Sequence, residues 1–170
     1  GFAIVPEVQM GEVVTHNNIW MYRQLAGGLT TALIKHGSAN HIGGVLSRDH
    51  FLAARDYERE WQRWERTQEG IPPRRDLRME ALLDILNQEL LISSHGYRAD
   101  EFLALVRLAE EFGFRVQTLQ HGVEAYKIAP ELAASGVAAI VWSDWGAFKL
   151  EAYDATVYNA PVLMEAGVVT

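Results

Sequence analysis

From residue 76 onward the chain alternates between two hydrophobic periods, and this alternation restricts its fold more than any other feature. "DLRMEALLDILNQ" carries apolar residues at helical spacing, with Asp76 placed as its N-cap. "LLISS" follows as a short strand. "ADEFLALVRLAEEFG" is helical and closes on Gly113, and "FRVQTLQ" is a strand. "VEAYKIAPELAASG" is helical and closes on Gly136, with Pro130 breaking or restarting it. "VAAIVW" is a strand, "SDWGAFKLEAYDA" a long loop, "TVYNAPVLMEAG" mostly helix, and "VVT" the start of a further strand. Strands separated by one helix each are βαβ units, so the fold class is α/β with a parallel sheet.

The upstream residues are more mixed. "NIWMYRQLAGG" reads as a short helix ended by Gly27 and Gly28, and "TTALI" as a strand. "KHGSANHIGG" is a loop of small residues that suits close backbone approach by a ligand. Residues 47–69 form a charged helix whose apolar face holds Ala54, Tyr57, Trp61 and Trp64. The two tryptophans read as helix packing rather than a stacking platform. Pro72 and Pro73 cannot continue that helix.

Composition narrows the function. The chain has 170 residues and no cysteine, which excludes disulfides, thiolate metal sites and cysteine nucleophiles. A net charge of −7 argues against nucleic acid as the main partner. No apolar run approaches the ~18 residues of a membrane span. There is no GxGxxG turn and no P-loop. The sequence opens without Met and both ends lie in apolar stretches, so the expectation is a piece of a longer protein. Compartment, cytoplasmic or exported, stays open.

Parallel α/β sheets bind ligands at the carboxyl ends of their strands. Four such ends carry polar side chains: Lys35 and His36, His95, His121, and Ser143 with Asp144. His95 and His121 hold matching positions on consecutive strands. They are either two nitrogen ligands of one metal ion or hydrogen-bonded loop residues. Asp144 is a ligand, a general base, a partner orienting an imidazole, or a turn residue. Arg98 either forks onto a substrate carboxylate or pairs with Asp100 or Glu101. Lys127 is an anion contact or a surface residue. A Lys149–Glu151 pair and an Asp154 helix cap are expected mainly as solvated charges. His16 and His41 are isolated in loops, and His50 is expected to be solvated on the charged helix.

"GLTTALIKHGSANHIGG", "SSHGYRADEFLALVRLAEEFGFRVQTLQHGVEAYKIAPELAASGV" and "SDWGAFKLEAYDATVYNAPVLMEAGVVT" together resemble metal-dependent amidohydrolases related to imidazolonepropionase. The resemblance covers most of the chain and is strongest over 76–170. It implies a (β/α)8 TIM barrel with one or two divalent metals, zinc being the expected ion, and hydrolysis of C–N bonds in cyclic amides or related compounds. His95 and His121 match the histidines ending the fifth and sixth barrel strands, as metal ligands. Asp144 lies at the end of the seventh and is the catalytic candidate; His36 and Arg98 are the substrate-binding candidates. The family's first-strand His-x-His and last-strand Asp have no counterpart here, and "HIGG" runs directly into "VLSRDH" where the family has further strands. The expectation is that 1–170 is part of one barrel domain, lacking strands at both ends and a segment after about residue 44. Its partner would be a small-molecule substrate. Apolar helix faces without barrel neighbours also predict association, a homo-oligomer included. The alternative is a non-catalytic α/β domain that acts in binding.

Overall fold

A computed structural model describes residues 44–142, 145–146 and 150–170. The helix and strand read at 18–28 and 30–34 lie outside the described residues. In chain order the elements are α1 (Gly44–Thr67), α2 (Leu77–Leu86), β1 (Ile92–His95), α3 (Ala99–Phe112), β2 (Val116–His121), α4 (Ala129–Ser135), β3 (Ala138–Val141) and α5 (Asn159–Glu165). Short 3-10 turns occupy Ala125–Ile128 and Leu150–Ala152.

The three strands form one parallel sheet in the order β1-β2-β3. The expected α/β class with consecutive, adjacent strands is therefore present. "VVT" does not form a strand, but one backbone bond ties it to the sheet: the Ala139 N–H donates to the Val169 carbonyl at 2.9 Å. The boundary at "LLISS" also moves. Leu90 and Leu91 are exposed, because the N–H groups of Glu89 and Leu90 both donate to the Asp84 carbonyl and wrap the end of α2. Satisfying the terminal carbonyls of a helix thus competes with the ladder for these residues.

Helix ends follow the local chemistry. Asp76 Oδ1 accepts from the N–H groups of Arg78 and Met79 at 2.9 and 3.3 Å, as an N-cap should. Gly113 and Gly136 close α3 and α4 in left-handed conformation. Pro130 lies in the first turn of α4, so it restarts the helix after the 3-10 turn. The first helix ends at Thr67, ahead of Pro72 and Pro73; Gln68 and Gly70 have positive φ there. Asp154 does not cap α5. That helix begins five residues further on, and the Asp154 carboxylate turns instead to Lys127 at 2.5 Å.

Among the described residues one core joins the helices and strands, and a smaller cluster of Tyr97, Val123 and Ala152 lies beside it. Phe51, Phe102, Leu105, Leu119, Leu132 and Leu163 are the largest fully buried side chains of the main core. The Phe51 ring sits 5.3 Å from Phe112 and 4.9 Å from Phe114, which docks α1 on α3 and the entry to β2. Arg55 adds a hydrogen bond to the Phe112 carbonyl at 2.9 Å and places its guanidinium over that ring. Further along α1, Trp61 and Trp64 meet edge to face at 6.0 Å and are half-buried, as side-chain packing requires. In β2 the residue Gln117 is extra: Ile92 pairs with Val116, but Ser93 already pairs with Thr118. This bulge resets the side-chain alternation, so Val116 and Leu119 both enter the core.

Tyr57 joins α1 to α2. Its hydroxyl donates to Glu80 Oε1 at 3.1 Å and accepts from the Asp76 N–H at 3.2 Å. The Arg75 guanidinium beside Glu80 holds that carboxyl below its ordinary value. Tyr57→Phe should therefore lower the urea-unfolding stability by about 1 kcal/mol. A depressed folded-state pKa stabilises above the unfolded value and loses that effect as pH falls through the folded value. The stability gap between wild type and Glu80→Gln should accordingly narrow as the solution is acidified below the usual glutamate range; a constant gap would argue against the Arg75 contact.

Candidate functional site at the strand ends

The carboxyl end of the sheet brings two of the expected residues together. His95 ends β1 and His121 ends β2, with His95 opposite Gln120 and His121 opposite Val141 in the ladders. Their ring centroids lie 4.6 Å apart, nearly perpendicular at 84°. Regular alternation would put His121 on the same side as Leu119, in the core. Its φ of 72° breaks that alternation. A non-glycine residue in this left-handed region costs about 1–2 kcal/mol, which neighbouring contacts must offset.

Those contacts come from the following turn. Gly122, also at positive φ, has its Cα so close to Val141 that a Cβ would sit 3.1 Å from the valine side chain. Asn159 is buried, and its Nδ2 donates to the carbonyls of Gly122 and Val123 at 2.8 and 3.2 Å. Asn159 Oδ1 accepts from the Tyr126 N–H at 3.2 Å. One amide from α5 thus fixes the turn that carries His121. The turn after His95 has its own constraint: a Cβ on Gly96 would lie 2.7 Å from the buried Phe102 ring.

Glu124 links the two turns. It is buried, accepts from the first N–H of α3 (Ala99) at 2.9 Å through Oε2, and its own N–H donates to the Tyr97 carbonyl at 2.9 Å. Lys127 bridges Glu124 at 3.3 Å and Asp154 at 2.5 Å, and chiefly Asp154 raises the pKa of its ammonium group. Lys127 is thus engaged by two carboxylates of the chain itself.

Aromatic rings wall the histidine pair. Tyr97 stacks on His121 at 5.2 Å and Trp145 does so at 4.6 Å; Tyr97 also meets His95 edge to face at 5.1 Å. Trp142, directly after β3, stacks on Trp145 at 5.6 Å and donates its indole N–H to His121 Nδ1 at 3.1 Å. On the sheet's polar side Ser93 and Thr118 hydroxyls are 2.6 Å apart, and Gln120 Nε2 donates to Ser93 at 3.3 Å.

Of the other candidates, Arg98 is exposed and forks onto Asp100, Nε to Oδ1 at 3.0 Å and Nη2 to Oδ2 at 3.3 Å. That is the ion-pair alternative of its two sequence readings. Asp144, His36, His16, His41 and Lys149 lie outside the described residues. His50 is half-buried on α1. Sequence reasoning missed Glu124, Asn159, Trp142 and Trp145 as parts of the site. The one signal it had was the clustering of aromatic residues directly after strand ends, in "HGY" and "WSDW".

Two neutral imidazoles on adjacent strand ends suit a first-row divalent ion. A catalytic zinc takes about three protein ligands. Among the described residues no group of three or more His, Asp or Glu is gathered to hold one. Two ring nitrogens by themselves fall short of that set, and any metal here would need further donors.

Comparison with known proteins agrees with the architecture. The chain is similar to an amidohydrolase from Thermotoga maritima MSB8 known from a crystal structure, with 31% identity and a TM-score of 0.65. The similarity covers 72% of this chain and 32% of that one, so the matched region is about a third of the solved protein. The fold is amidohydrolase-like. No protein-family profile matches the chain, and no curated protein matches it.

The strained φ at His121 yields a direct test. His121→Gly should be more stable than His121→Ala by about 1 kcal/mol, because only glycine adopts φ near 72° without strain. At an ordinary strand position the order would be reversed, and thermal unfolding of the two variants distinguishes the cases.

Proposed function

We propose that this chain is part of a (β/α)8 amidohydrolase, of the group related to imidazolonepropionase, that uses a divalent metal to hydrolyse C–N bonds in a cyclic amide or related small molecule. One observation carries the reading: His95 and His121 end adjacent parallel strands with their rings 4.6 Å apart, in a chain 31% identical to an amidohydrolase. In this reading both histidines are metal ligands and zinc is the expected ion. When bound, such an ion activates water and polarises the substrate carbonyl.

The chain's own residues then do the positioning. Asn159 and Glu124 hold the turns that present the two imidazoles. Tyr97, Trp142 and Trp145 form an apolar wall beside them that limits water and offers flat surface to a substrate ring. Asp144, three positions after β3 in the sequence, is assigned the proton that must reach the leaving nitrogen as water adds across the C–N bond. His36 is assigned to the substrate. Arg98 joins it if a substrate carboxylate replaces Asp100, an exchange that costs little at an exposed ion pair.

In the intact protein, His95→Ala and His121→Ala should each lose most of the bound metal found in wild type, measured by elemental analysis with circular dichroism as the folding control. Undiminished metal in both folded variants would remove the ligand assignment. A wild-type protein that binds no added zinc, cobalt or manganese would favour the non-catalytic binding domain.

A further inference from the structure

The solvent-facing side of α1 carries a pattern that its own packing does not use. This helix turns Phe51 and Ala54 into the core, and Tyr57, Trp61 and Trp64 continue the same face, half-buried. On the opposite side Asp49, Leu52, Asp56, Arg59, Arg63 and Arg66 are all exposed. They follow one another at alternating steps of three and four residues, which sets them in one stripe along the helix. Charge on the stripe is segregated, with both aspartates ahead of all the arginines. The helix macrodipole does not account for this, because its influence falls off within the end turns. The first turn of α1 has no acidic residue, and Asp49, Asp56 and Arg59 lie further in.

The pattern is self-complementary. Turned end for end about a point between Tyr57 and Glu58, the stripe sets Asp49 against Arg66, Leu52 against Arg63 and Asp56 against Arg59. We propose that this stripe is a docking surface for a second copy of the chain, the two α1 helices lying antiparallel about a two-fold axis at that point. A two-fold contact needs one patch that fits itself, and these layers put opposite charges together at both ends and beside the axis. Near the axis Arg59 already pairs with Asp56 of its own chain, through side chains that are 67% and 62% exposed. A second copy adds the same pair in reverse order and closes a ring of four alternating charges. Leu52, 40% exposed, is then covered by the aliphatic stem of the partner's Arg63. The stripe is about 25 Å long at the helical rise per residue. With so few apolar atoms on it, the contact is weak and sensitive to salt.

Sedimentation equilibrium of the intact protein in low salt should show monomers in exchange with dimers, and high salt should weaken the dimer. Asp56→Arg and Arg59→Asp each set like charges against each other across the axis. Each should weaken dimerisation roughly 5- to 30-fold, the effect of losing two exposed ion pairs. Both positions are exposed, and circular dichroism checks that the variants fold. Mixing the two variants restores opposite charges in both layers, so the mixture should form a heterodimer about as strong as the wild-type dimer. A wild type that stays monomeric at every concentration reached would overturn the proposal. So would a dimer indifferent to both reversals, because it docks through another surface. A mixture no stronger than either variant alone would rule out the antiparallel register.

Discussion

Everything at the candidate site depends on β2 pairing in parallel on both of its edges. Its ladder to β1 places His95 opposite Gln120, and its ladder to β3 places His121 opposite Val141. Backbone hydrogen bonds, which cannot be left unmade in a buried sheet, therefore bring two imidazoles and an indole to the same end. Burial of Leu119, Val116 and Ala139 beneath the helices keeps that sheet in place. The Gln117 bulge reconciles this buried side with the polar one, so that Ser93, Thr118 and Gln120 can form hydrogen bonds to one another.

The site also carries a local conflict of its own. His121 adopts a left-handed conformation, Gly122 follows at positive φ, and a buried carboxylate and a buried amide secure the surrounding turns. Strain of this kind persists only where the surroundings over-determine it, and it gathers at sites that bind or react. Several helix ends follow ordinary preferences: an aspartate cap on α2, left-handed glycines after α3 and α4, and a proline in the first turn of α4.

Much of this was legible in the sequence because it is local. Helical and strand periodicity, Asp76, Gly113, Gly136 and Pro130 act within a few residues of themselves. The matched strand ends of His95 and His121 followed from counting along βαβ units. The illegible part is long-range. Asn159 reaches back to Gly122 across 37 positions, and Asp154 meets Lys127 across 27 rather than capping the nearby helix. The exposed start of "LLISS" was hidden because apolar composition does not reveal that two N–H groups are needed at the end of α2. Nor does any local pattern announce that an indole will donate to a particular imidazole nitrogen.

The central claim is that His95 and His121 share one divalent ion. Crystals of the intact protein grown with zinc, with data collected on both sides of the zinc absorption edge, test it most directly. The account predicts an anomalous peak bonded to a nitrogen of each ring at about 2.0–2.1 Å. Zinc bound only elsewhere would contradict it.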